Sequence, residues 1–95
     1  MKRLEIVQLR LSRPRPSGLV RELRRQAAAS GESEGLSIYR HSTVASDLGI
    51  HLRFEMDEHE TAPSDLGHRL AEMLREHGMV EHTVWIEAEE EDDDE

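Results

Sequence analysis

Between Ile50 and Met56 apolar and polar residues alternate without a break. Ile50, Leu52, Phe54 and Met56 fall on one parity, and His51, Arg53 and Glu55 on the other. A period of two describes a strand with one face against a core and the other turned away from it. The chain must therefore supply a cover for the apolar side and a setting for imidazole, guanidinium and carboxylate on the opposite one.

Two amphipathic segments supply the cover. Leu19, Val20, Leu23 and Ala27 recur at helical spacing after Ser17, a candidate N-cap, and Gly31 ends the pattern. Leu66, Leu70, Met73, Leu74 and His77 share one side of a second helix, with Ser64 as N-cap and Asp65 against the positive helix end. Gly78 reads as the C′ residue, with Met79 or Val80 folding back over the last turn.

Three more strands complete the pattern. Leu4–Leu11 is apolar on both parities, as a central strand covered on both sides would be. Pro14 and Pro16 stop it. Leu36 and Ile38 alternate with Ser37, Tyr39 and His41; Val84, Ile86 and Ala88 alternate with Thr83, Trp85 and Glu87 in a strand expected over His82–Ala88. The order βαββαβ predicts an α+β, ferredoxin-like domain over residues 1–88, a four-stranded antiparallel sheet with two helices on one face.

The helices claim the parity of Leu36, Ile38, Ile50, Leu52, Phe54, Met56, Val84 and Ile86. Tyr39, His41, His51, Arg53, Glu55, Thr83 and Trp85 are left on the other face, joined in this reading by a strip of Val7, Leu9 and Leu11. Such a patch calls for cover. A 95-residue chain without cysteine has neither disulfides nor a thiolate metal site to supplement its core. The expected remedy is a homodimer joined through this second face.

The formal charge of −9 is unevenly spread. Eight acids and no bases lie between Glu87 and Glu95, whereas residues 1–30 carry a net +6. Residues 89–95 read as a disordered, solubilising acidic tail. Arg10, Arg13, Arg15, Arg21, Arg24 and Arg25 lack interleaved aromatics and any nucleic-acid motif, so they read as a solvated surface and no nucleic-acid partner is expected. No apolar run approaches the ~18 residues of a membrane span. The start MKRLEIVQLRLS lacks a signal peptide's apolar core and cleavage site. The expected setting is cytoplasmic, with no membrane partner.

The element order, the stretches YRHSTVASDLGIHLRFE (Tyr39–Glu55) and LGHRLAEMLREHGMVEHTVWIE (Leu66–Glu87), and the amphipathic second face resemble the dimeric α+β barrel proteins. That group includes antibiotic-biosynthesis-monooxygenase-like domains and small uncharacterised bacterial proteins. The resemblance spans nearly the whole chain apart from the tail. It implies sheet-to-sheet dimers and activities ranging from cofactor-free oxygenation of phenolic polycycles to haem degradation. The haem-degrading members use an Asn, Trp and His set, and this chain has no asparagine.

The residues themselves suggest a ligand pocket built from Tyr39, His41, His51, Arg53, Glu55 and Trp85. Rings can stack on a planar aromatic ligand, Arg53 can meet a carboxylate or phenolate, and His41 or His51 can move a proton. The same groups can equally pair among themselves across strands or across a dimer contact. His41, His51 and Asp47 form the one conceivable metal set, but HxH and HExxH spacings are absent and DEHE (57–60) reads as a solvated loop, so no metal is expected. Glycine-rich phosphate loops, nucleophile elbows and CxxC are also missing, and no cofactor is expected. The functional expectation is a homodimeric small-molecule-binding or accessory protein. The alternative is a cofactor-independent monooxygenase-like enzyme with His41 or His51 as general base.

Overall fold

The computed structural model describes residues 1–55 and 62–88. Its elements are β1 (Lys2–Leu11), α1 (Leu19–Ser30), β2 (Gly35–Arg40), β3 (Leu48–Glu55), α2 (Asp65–Leu74) and β4 (Gly78–Ile86). The strands form one antiparallel sheet in the order β2-β3-β1-β4. Both helices pack on the same side, over a core of Val7, Leu9, Leu23, Ile50, Leu52, Leu66, Leu70 and Leu74. This is the ferredoxin-like arrangement the element order predicts. Met56, the 57–60 acidic stretch and the 89–95 tail lie outside the described residues.

The β3 alternation holds as expected, with Ile50, Leu52 and Phe54 buried beneath the helices. Leu36 and Ile38 pack against the same cluster. The reading of β1 is corrected. Val7 and Leu9 belong to the core, and Leu11 packs against it; they form no strip on the second face. Register explains the correction. Val7 lies opposite Ile50 and Leu9 opposite Leu48, and directly paired residues share a sheet face. The same register places Leu4 and Ile6 on the helix-free side and carries Arg3 and Glu5 under the helices.

Two helix ends also differ from expectation. Gly18, not Ser17, precedes α1, at φ 83° and ψ 0°, and the Leu19 amide donates to the Pro16 carbonyl. Those dihedrals and that bond are those of the third position of a type II turn, which glycine occupies without strain. At the other helix Ser64 caps as predicted, its hydroxyl accepting from the Gly67 amide at 2.9 Å. Gly78 is not a left-handed cap but the first residue of β4. A β-carbon there would overlap the Arg10 carbonyl, so the absent side chain is what lets β4 begin this early. β4 thus starts four residues before the predicted His82. Val80 turns toward the core, while Met79 stands 74% exposed on the other side.

Candidate functional site

The helix-free face is best described in rows running across the sheet. Tyr39, Gly49, Gln8 and Glu81 form one; Ser37, His51, Ile6 and Thr83 the next; Gly35, Arg53, Leu4 and Trp85 the third. Beyond it lie Glu55 and Lys2. The predicted outward parity of Tyr39, His51, Arg53, Glu55, Thr83 and Trp85 therefore holds; His41, expected as the end of the second strand, lies instead one residue beyond β2, in the β2–β3 loop.

A concavity of about 630 Å³ opens at the first-row end of this face. Its wall includes Tyr39, His41 and His51 with Gln8, Arg10, Asp47, Met79 and Glu81. Tyr39 and His51 meet edge to face, ring centroids 4.9 Å apart at 64°. Gly49 pairs with Tyr39 and presents no side chain above the sheet between the rings. Tyr39 itself remains 55% exposed. An aromatic wall that is ordered yet open is suited to stacking on a planar molecule.

The six residues expected to share one pocket divide into two groups. Arg53 and Trp85 stand two rows from Tyr39, roughly 13 Å along the strands at the usual rise per residue, and Glu55 stands farther still. None of the three lines the concavity. Each has a local partner: Arg53 Nη1 donates to Ser37 Oγ at 2.8 Å, Trp85 Nε1 donates to Thr83 Oγ1 at 2.9 Å, and the Met1 amino group sits 3.0 Å from Glu55.

The two histidines of the concavity differ in what they can do. His41 Nδ1 accepts from the backbone amides of Thr43 and Val44, both at 3.0 Å. Two donors on one ring nitrogen assign its lone pair to Nδ1, so the neutral ring carries its proton on Nε2. The nitrogens of His51 have no hydrogen bond among the described residues, and its ring faces the concavity. Asp47, the carboxylate of the conceivable metal set, accepts from the Leu11 amide at 3.3 Å and lies 3.9 Å from Arg10 Nε. Among the described residues no three histidine or acidic side chains gather in a metal-holding group.

A second polar cluster went unread in the sequence. Glu5 is wholly buried under α2 and Arg3 is only 4% exposed. Glu5 Oε2 accepts from Arg3 Nη2 at 3.0 Å and from the Ser64 amide at 2.9 Å, while Oε1 lies 2.9 Å from His82 Nε2. Arg3 Nη1 donates to the Ala62 carbonyl and the guanidinium stacks 4.6 Å over the Phe54 ring. A carboxylate only accepts, which puts a proton on His82 Nε2. The signal was present: Arg3 and Glu5 share parity with Val7 and Leu9, and His82 shares it with Val84 and Ile86. Both Glu5 oxygens are bonded, to Arg3, to His82 and to the Ser64 amide at the start of α2, so the arrangement fastens that helix.

No family model matches the chain, and no curated protein matches it. Among solved structures it is similar to Rv0793 from Mycobacterium tuberculosis, with a TM-score of 0.59 over 95% of this chain and 98% of that one, at 20% identity. A likeness at that identity supports the fold and leaves the chemistry open. Among the described residues no helix is long and apolar enough to cross a membrane.

Proposed function

We propose that this chain is a homodimeric binding or accessory protein of the dimeric α+β barrel kind, holding a small planar aromatic molecule where Tyr39 and His51 meet. The concavity carries the reading. Its volume falls within the range of small-molecule sites, and it joins an exposed aromatic edge to a few polar groups. Dimerisation draws support from the rest of that face. Leu4 and Ile6 lie half-buried on the central strand beside Trp85, 58% exposed, and a second copy laid over them would remove this apolar area from water. It would also roof a concavity that one chain leaves open.

The enzymatic alternative rests on His51. With no hydrogen bond to its nitrogens among the described residues, it is the better-placed general base, since His41 has its lone pair engaged. In cofactor-independent oxygenation of a phenol, one atom of O2 enters the ring and the other leaves as water, so 1-naphthol would yield a naphthoquinone.

Native mass spectrometry tests the binding reading directly. The expected result is a dimer that retains added 1-naphthol and loses it in the Tyr39→Ala variant. A monomer at micromolar concentration, or retention unaffected by Tyr39→Ala, would overturn it. Quinone absorbance that appears with wild type under oxygen and vanishes with His51→Gln would move the conclusion to the enzyme.

A further inference from the structure

His41 does more than line the concavity. Its main-chain amide donates to the Asp47 carbonyl at 3.0 Å, its Nδ1 takes the Thr43 and Val44 amides, and the Asp47 amide closes the turn on the Val44 carbonyl at 3.0 Å. The β2–β3 loop, residues 41–47, is thus wound around one imidazole. Asp47 ties the loop to the end of β1 through the Leu11 amide, and Arg15 reaches across to the Ala45 carbonyl at 3.3 Å. His41 and Asp47 from this loop both form part of the concavity's wall.

A histidine that accepts two amides through one nitrogen can do so only while that nitrogen keeps its lone pair. Protonation turns Nδ1 into a third donor aimed at two others. The surroundings offer the resulting cation no surplus of negative charge. Arg10 from β1, Arg40 from β2 and Arg15 from the β1–α1 loop face this end of the sheet, against Asp47 and, from β4, Glu81, with the His51 ring of β3 and Tyr39 of β2 beside them. Asp47 is already shared between Arg10 and the Leu11 amide.

From this geometry we infer that His41 is an acid-triggered release for the 41–47 loop, which frees one wall of the concavity and discharges what it holds. The release of the loop needs only the hydrogen bonds above; the discharge rests on the ligand reading of the preceding subsection. The sign is fixed by the bonding. The closed loop requires a neutral ring whose Nδ1 lone pair takes both amides, so it is present while the ring is neutral and lost once acid protonates it.

Amide NMR of the full chain separates the two layers. In wild type the Thr43 and Val44 amide resonances should shift together with the His41 ring signals between pH 8 and pH 5. Loop opening should rise roughly tenfold, the scale of two exposed hydrogen bonds lost together. Added 1-naphthol should perturb Tyr39 and His51 at pH 8 and bind about tenfold more weakly at pH 5, again on the scale of one hydrogen bond. His41→Asn keeps a side-chain acceptor near the Nδ1 position but cannot titrate, so its loop amides and naphthol affinity should hold across the same range. Amides that stay fixed while the wild-type ring titrates, or an identical acid response in His41→Asn, would overturn the switch. Switching amides without naphthol contact at Tyr39 or His51 would uphold the switch and overturn the ligand reading.

Discussion

The two faces of this sheet carry similar chemistry and treat it in opposite ways. Under the helices Arg3, Glu5 and His82 form a closed cluster in which both Glu5 oxygens are bonded and α2 is anchored through Ser64. On the helix-free face His51, Arg53 and Glu55 stand at alternate positions along β3, with Arg53 and Glu55 spaced as Arg3 and Glu5 are on β1, yet each bonds locally or, for the His51 nitrogens, not at all among the described residues. Polarity therefore does not mark the wet side of this molecule. What separates the faces is whether each polar group has its partners within reach once water is removed.

The largest effect follows from breaking the buried cluster. Glu5→Ala removes the carboxylate that meets the buried Arg3 guanidinium, His82 and the Ser64 amide, and a loss of about 3–5 kcal/mol in urea-unfolding stability is expected. Glu55→Ala removes a carboxylate of the same strand pairing from the other side, where Glu55 itself is half exposed beside the Met1 amino group. That change should stay within about 0.5 kcal/mol. Equal losses in the two variants would erase the distinction between the faces.

Sequence patterning carried most of the architecture because period two is unambiguous where one parity is wholly apolar. Ile50, Leu52 and Phe54 against His51, Arg53 and Glu55 identify β3, and its pairing then dictates its neighbours. β1 defeated the same approach. With Leu4 and Ile6 on one parity and Val7, Leu9 and Leu11 on the other, only the pairing of Val7 with Ile50 decides which side is core. The buried charges compound the difficulty, since nothing in the sequence pairs Arg3 and Glu5 with their partners from β4 and α2. Of the candidate site, the parity of each residue was legible. Parity alone does not give position along the strands, and it groups Arg53, Glu55 and Trp85 with Tyr39 although Arg53 and Trp85 stand two rows away and Glu55 three.

Gly67 offers a finer probe of the closed side. Replacing a glycine inside a helix with alanine ordinarily gains about 1 kcal/mol. Here the added β-carbon would collide with Glu5 Oε1 and press on His82 Nε2 at 3.0 Å. Gly67→Ala should therefore destabilise, by about 1–3 kcal/mol, as overpacking of a filled site does. In a Glu5→Ala background the collision disappears, and the same substitution should become neutral or favourable, a coupling that a double-mutant cycle reads directly. Gain in both backgrounds would show that α2 does not press on the cluster.

The smallest effect concerns an Arg–carboxylate pair that never leaves water. On α1, Glu22 accepts from Arg25 at 2.5 and 3.0 Å and from Gln26 at 3.0 Å. The Arg25 hydrogen bonds, followed by that of Gln26, hold the Glu22 carboxyl down from 4.5 to about 2. A depressed carboxyl contributes above its unfolded value and loses that contribution as pH falls through the folded one, so this link should last from neutrality down to about pH 2. Both side chains are largely solvated, and salt and side-chain motion absorb most of the benefit. Carboxyl NMR should accordingly show a Glu22 midpoint near 2 in dilute buffer that climbs in high salt, while Glu22→Gln leaves urea unfolding at neutral pH essentially unmoved. A large stability loss in Glu22→Gln would place this surface pair beside Arg3–Glu5 and break the rule that enclosure, rather than pairing alone, sets the strength of these contacts.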